Sequence, residues 1–172
     1  DGYDVTDRLD RGLIDFGTLI EPIDMGKYDY LRLPRPDVWG VLMRQDDPLA
    51  NLERIHPSDL QGVPLMISRQ MDQEGGLSGW LGYGSENLKI VATGNLSHTL
   101  AMAVEEGIGC LLTLEQLVDL SGQRGLCFRP LEPKLESWMY LAWKKYQVFT
   151  NAAEVFIHTL KENLTGISLG AK

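Results

Sequence analysis

Catalysis needs a nucleophile beside a base, or a set of metal ligands, and the polar residues of this chain supply neither at a productive spacing. The three histidines, His56, His98 and His158, are far apart and form no ligand set with carboxylates or cysteines. There is no G-x-S-x-G, no glycine-rich phosphate loop in a strand-to-helix turn, and no H-x-x-x-H helix. An enzyme is therefore not expected, nor is a metal or cofactor site. Two polar clusters instead follow strand-like runs. Ser68-Arg69-Gln70 comes after Val63–Ile67, and Asn95, Ser97 and His98 come after Lys89–Thr93. In open α/β sheets, ligands collect at carboxyl ends of strands and at helix N-termini, so these clusters are candidate binding residues.

Each has a structural alternative. Arg69 can equally pair with Asp72 or Glu74, and Asn95 or Ser97 can simply cap the helix that follows. A binding role for Arg69 rests on its guanidinium, which forks a carboxylate through charge-assisted bonds worth roughly 1.5–3 kcal/mol.

The elements that would position these residues alternate between strands and helices. A capped turn around Asp4–Arg11 ends at Gly12 and leads into Leu13–Ile20, an apolar run that reads as a strand buried on both faces. Tyr28–Leu33 is a second strand. It meets Pro34-Arg35-Pro36, which cannot continue a central ladder and reads as a crossover. Val38–Met43, Val63–Ile67, Lys89–Thr93, Ile108–Leu112 and Leu126–Arg129 are further strands, and Trp138–Trp143 is an aromatic one. The stretch from Gln70 to Ser85 holds five glycines, so any helix there is weak.

Helices are read at Leu96–Glu106, where Leu96, Leu100, Ala103 and Val104 share a stripe, and at the C-terminus, where Ala153, Phe156, Leu160 and Leu164 do. Thr113 and Gln116 form a capping-box pattern for a short helix reaching Asp119. This alternation predicts an α/β fold with mainly parallel sheets. The second proline crossover, Arg129-Pro130, divides it into two lobes: 1–36 with 129–172, and 37–128.

Composition sets the outer bounds. The 172 residues are 44% hydrophobic and 23% charged, as in an ordinary globular chain. A net charge of −8 repels phosphate backbones and anionic membranes, so neither DNA nor membrane is an expected direct partner. Cys110 and Cys127 each sit in an apolar run and read as buried free thiols.

Several segments resemble a known family. Asp4–Gly17 looks like the helix-to-strand passage of LysR-type transcriptional regulators, with a helix ending in Gly and an Asp in the next strand. Val41–Arg44 followed by Asp47-Pro48-Leu49-Ala50 is similar to the family's strand and "H-P-L-A" turn, with Asp47 in place of the usual His. Ala103–Gly109 resembles its "V-x-x-G-x-G" turn, and Phe128-Arg129-Pro130-Leu131 its return crossover.

The resemblance implies two Rossmann-like lobes of the type 2 periplasmic-binding-protein kind, joined by two crossover strands, with the first strand-helix-strand unit of lobe I absent and a sheet edge left open. It also implies a small-molecule effector in the interlobe cleft. There, the first strand end (Thr18, Ile20, Glu21) faces Ser68, Arg69, Gln70, Asn95 and Ser97. Glu21 would oppose an anionic ligand, so it either points away or meets a cationic group. The family further implies a cytoplasmic bacterial homo-oligomer, dimeric or tetrameric, that touches DNA only through an N-terminal winged helix-turn-helix not in this sequence. A free-standing solute-binding protein of a transporter is the alternative.

Overall fold

The computed structural model describes residues 1–172 except 22, 23, 25, 70, 72–77, 83–87, 119, 121–124 and 169–172, with backbone alone for 165–168. In chain order, the elements are α1 (Gly2–Asp10), β1 (Gly17–Ile20), β2 (Tyr28–Arg32), β3 (Asp37–Arg44), β4 (Pro64–Ser68), α2 (Ser78–Leu81) and β5 (Lys89–Gly94). They continue with α3 (Ser97–Glu105), β6 (Cys110–Leu114), β7 (Leu126–Pro130), β8 (Glu136–Ser137), β9 (Met139–Lys144) and α4 (Asn151–Ser168). Contacts divide the chain into a middle unit, Asp37–Glu136 with Asp1, and an outer unit, Gly2–Pro36 with Ser137–Lys172.

The return boundary differs from the expected one. Residues 129–136 stay with the middle unit because β7 pairs antiparallel with β3 from Arg44↔Leu126 to Gly40↔Pro130. Beyond the strand, Leu131 N donates to Trp39 O at 3.0 Å, and the Leu131 side chain is fully buried in that core. Arg129-Pro130 is thus the end of a sheet strand and not the crossover.

In the middle unit the sheet runs β5-β4-β6-β3-β7, with β5, β4 and β6 parallel and β3 antiparallel to β6. Strand alternation splits its apolar residues between two cores. Val41, Met43, Leu65, Ile67, Cys110 and Leu112 face one, with Ile55 and Leu60. Leu42, Met66 and Leu111 face the other, closed by Leu100, Ala101 and Val104 of α3.

The outer unit departs from the parallel sheet expected. Its order is β1-β9-β2, and both pairings are antiparallel, because the late strand β9 inserts between the two early ones. The β1 strand is also shorter than the Leu13–Ile20 run, and Leu13 is 62% exposed, so the run is not buried on both faces. Gly12, at φ +65°, turns the chain out of α1 as the sequence suggests. On one face of the sheet, Leu9 of α1 packs with Leu19, Tyr28 and Ala142. On the other, Phe16 meets Phe156 of α4 with ring centroids 5.1 Å apart, and Trp143 edge-on at 6.0 Å. Phe16 and Phe156, from opposite ends of the sequence, therefore meet in one aromatic cluster, with Phe156 still 48% exposed.

Gly40 pairs with Pro130 where β7 ends. A Cβ there would lie 2.2 Å from Phe128 Cζ and 2.4 Å from the Arg129 carbonyl oxygen, and the carbonyl cannot swing away without breaking the ladder. Gly40→Ala is expected to destabilise the domain by about 1–3 kcal/mol in urea unfolding, as overpacking does. Unchanged stability would mean that this contact is not tight in solution.

Candidate functional site

The parallel pairing of β4 with β5 places Ser68 opposite Gly94, so the two polar segments seen in the sequence emerge side by side at the carboxyl ends of adjacent strands. Ser68 Oγ accepts from Met71 N at 3.1 Å and shapes the turn after β4. Ser97 opens α3, and its Oγ accepts from the Thr113 hydroxyl of β6 at 3.5 Å. The N-cap of α3 is Leu96, whose side chain accepts nothing, and Ser97 lies inside the helix. A helix start without a side-chain cap keeps its first-turn amides directed at whatever lies beyond them. Asn95 and His98 are exposed.

Asp72, Glu74 and Gln70 lie outside the described residues. Arg69 is half-exposed and engages a carboxylate. Its Nε and a terminal nitrogen reach Asp1 Oδ2 at 3.0 and 2.8 Å. A ligand carboxylate at Arg69 would exchange with, or bridge beside, that partner.

In the outer unit, Thr18 and Ile20 pair with Leu141 and Met139, and Leu19 pairs with Tyr140. Glu21 turns to the Tyr140 side. One of its oxygens accepts from Trp138 N at 2.9 Å, and the other lies 3.4 Å from the Tyr140 hydroxyl. Glu21 is therefore held within its own unit, on the opposite sheet face from Thr18 and Ile20. This anchoring by Trp138 and Tyr140 had no local signal in the sequence, because the partners lie more than a hundred positions away.

The cysteines and His158 lie apart from the edge at Ser68 and Gly94. Burial pushes the Cys110 thiol up to about 12, and the adjacent Asp47 carboxylate, 3.6 Å away, adds to the shift. Cys127 is only half-buried, contrary to the reading of two buried thiols. His158 does meet a carboxylate, Glu162 at 3.5 Å one helical turn on, but both are exposed. Among the described residues, no group of three His, Cys, Asp or Glu could hold a metal ion, and no helix is long and apolar enough to cross a membrane.

The profile of the LysR substrate binding domain matches residues 1–165. The chain belongs to that family. The fold is likewise similar to solved regulators. HinK, a LysR family transcriptional regulator from Pseudomonas aeruginosa, superimposes with TM-score 0.72 at 18% identity, covering 95% of this chain and 58% of that one. The effector binding domain of QuiR in complex with shikimate gives 0.79 at 14% identity over 95% of this chain and 78% of that one. The regulatory domain of Synechocystis PCC6803 CcmR in complex with 2-PG gives 0.75 at 14%, over 95% and 80%. No curated protein matches the chain. The fold class is thus that of LysR substrate-binding domains, a type 2 periplasmic-binding-protein-like α/β architecture, and the chain spans under three-fifths of the HinK chain.

Within this LysR domain, one buried carboxylate has a structural duty the sequence did not signal. Asp37, 1% exposed at the head of β3, accepts from Val38 N at 2.8 Å and from Gln116 N at 3.3 Å. It thereby caps the 3-10 turn Glu115–Leu117, replacing the expected capping box of Thr113 and Gln116: Thr113 lies in β6, and the turn's own N-cap, Leu114, offers no acceptor. Burial raises the Asp37 pKa against the lowering effect of those two backbone bonds. The folded state then holds the proton more tightly than the unfolded state. Its contribution to stability is full below the ordinary carboxylate range and is lost as pH rises through the folded value. Asp37→Asn keeps an acceptor and removes the buried charge, so it should stabilise the domain at neutral pH, with the gain shrinking on acidification. Asp37→Ala strands two donors and should cost about 1–3 kcal/mol. Chemical denaturation of both variants across pH tests this, and an Asn variant less stable than wild type at pH 7 would overturn the assignment.

Proposed function

We propose that this domain is the effector-sensing part of a cytoplasmic bacterial transcriptional regulator and performs no catalysis of its own. A small molecule is held by Ser68, Arg69, Asn95 and Ser97 of the middle unit. The observation that carries the reading is the Ser68↔Gly94 register, which sets two polar strand ends and an α3 start without a side-chain cap at one edge. Such an edge offers amide donors, hydroxyls and a guanidinium to an oxygen-rich ligand. Ligand-bound relatives support it, since shikimate occupies the QuiR domain and 2-PG the CcmR domain.

The ligand acts by binding one arrangement of the domain better than another, and it shifts the equilibrium only by that difference. DNA is contacted by the winged helix-turn-helix of the longer protein, as a dimer or tetramer, because the present chain at −8 has no electrostatic footprint for a phosphate backbone. With small carboxylates screened by thermal shift, a binder should lose about 10- to 100-fold in affinity on Arg69→Ala, from the loss of a charge-assisted fork. Equal calorimetric affinity in the variant would remove Arg69 from the site. Retained affinity after both Asn95→Ala and Ser97→Ala would remove the strand-end edge altogether.

A further inference from the structure

The Asp1–Arg69 pair is built unlike a surface ion pair. The Asp1 side chain is only 5% exposed, whereas the acids paired with Arg11, Lys27, Arg44, Arg54 and Lys134 are 30–68% exposed. Arg69 itself remains 44% exposed. The domain thus shields a carboxylate from water in front of a guanidinium that water still reaches. Burial of that kind is costly for a carboxylate unless it is paired, so the recess and the cation belong together.

The occupant of the recess comes from the chain itself, 68 positions before Arg69. Contacts group Asp1 with Asp37–Glu136 in the middle unit, while the residues directly after it belong to the outer one. Its seating is also not the best that a guanidinium can have. The Arg69 Nε at 3.0 Å and a terminal nitrogen at 2.8 Å both reach the same atom, Asp1 Oδ2. A free carboxylate can give one oxygen to each nitrogen, the parallel fork that guanidinium geometry favours.

We propose that the Asp1 carboxylate is a tethered stand-in for the effector's carboxylate, so that a ligand binds at Arg69 by displacing it. The proposal rests on the reading of Arg69 as a binding residue, and it adds how that residue is regulated. It also fixes the group received there, a carboxylate on a slim aliphatic stem like that of aspartate. A short tether holds its end at an effective concentration on the order of millimolar. The apparent affinity of any ligand is then reduced by the fraction of time for which Arg69 is uncovered. The stand-in therefore sets a threshold. Scarce or weakly held anions leave it in place, and a ligand that adds contacts at Ser68, Asn95 or Ser97 to the fork displaces it.

The test is titration of the whole chain with sodium acetate, followed through the Arg69 Nε–H resonance. Sodium chloride at matched ionic strength is the comparison, since it brings charge without a fork. Asp1→Asn should bind acetate at least fivefold more tightly than wild type. Asp1→Ala should gain as much, which shows that loss of the carboxylate and not a new amide is responsible. Chloride should gain less than twofold in either variant. Equal acetate affinity in wild type and both variants would overturn the proposal while leaving Arg69 a binding residue. A gain for chloride as large as that for acetate would overturn it too, by reducing the effect to a removed charge. No acetate response at the Arg69 resonance in any of the three proteins would remove Arg69 from the site and sink both readings together.

Discussion

Strand β6, Cys110–Leu114, is buried along its whole length, so each of its backbone donors and acceptors must be satisfied inside the sheet. It meets that demand with β4 on one edge and β3 on the other, the first parallel and the second antiparallel. Both β4 against β6 and β5 against β4 pair parallel. The polar residues after those two strands can then emerge only at the same edge. The Ser68–Arg69 and Asn95–Ser97 segments are neighbours because β4 and β5 run parallel, with Ser68 opposite Gly94. The same demand explains Asp37. The 3-10 turn directly after β6 has no acceptor of its own at the N-cap, and a carboxylate at the head of the neighbouring strand supplies one.

What could be read from the sequence follows the distance between partners. Strands bounded by local signals, such as Lys89–Gly94 and Cys110–Leu114, fell within a residue or two of the apolar runs, because alternation and flanking turns are local. Sheet order was not legible to the same degree. The outer unit reads as parallel until β9, more than a hundred residues after β1, takes the position between β1 and β2. The proline rule also failed at Pro130, which can end β7 because it stands at the end of the strand and β7 at the edge of the sheet. The polar strand ends were legible as a pattern. Their partners, Asp1 for Arg69 and Trp138 with Tyr140 for Glu21, were not, since nothing near them in the chain marks the pairing.

Charge is distributed with the same economy. Most cations are committed locally. Arg44 is gripped by Asp46 through bonds of 2.8 and 2.6 Å, Lys27 by Asp10, and Arg54 by Glu132 at 2.9 Å. Such exposed pairs add little to stability, typically below about 1 kcal/mol, but they cancel local fields. Arg129 is absorbed differently: its three nitrogens donate to the carbonyls of Ala50, Leu52 and Phe128, tying β7 to the 3-10 turn Pro48–Asn51.

Against that background, Arg69 and Arg32 mark two different ways of keeping a guanidinium in place. Arg69 is positioned by the Asp1 carboxylate, which its Nε and a terminal nitrogen reach at 3.0 and 2.8 Å. Arg32 is positioned by an indole face, which orients the group without consuming its in-plane donors. A cation held by an ion pair favours a ligand that brings several further contacts to offset the exchange. The two guanidiniums thus differ in the kind of neighbour, carboxylate or aromatic, that the chain places beside each.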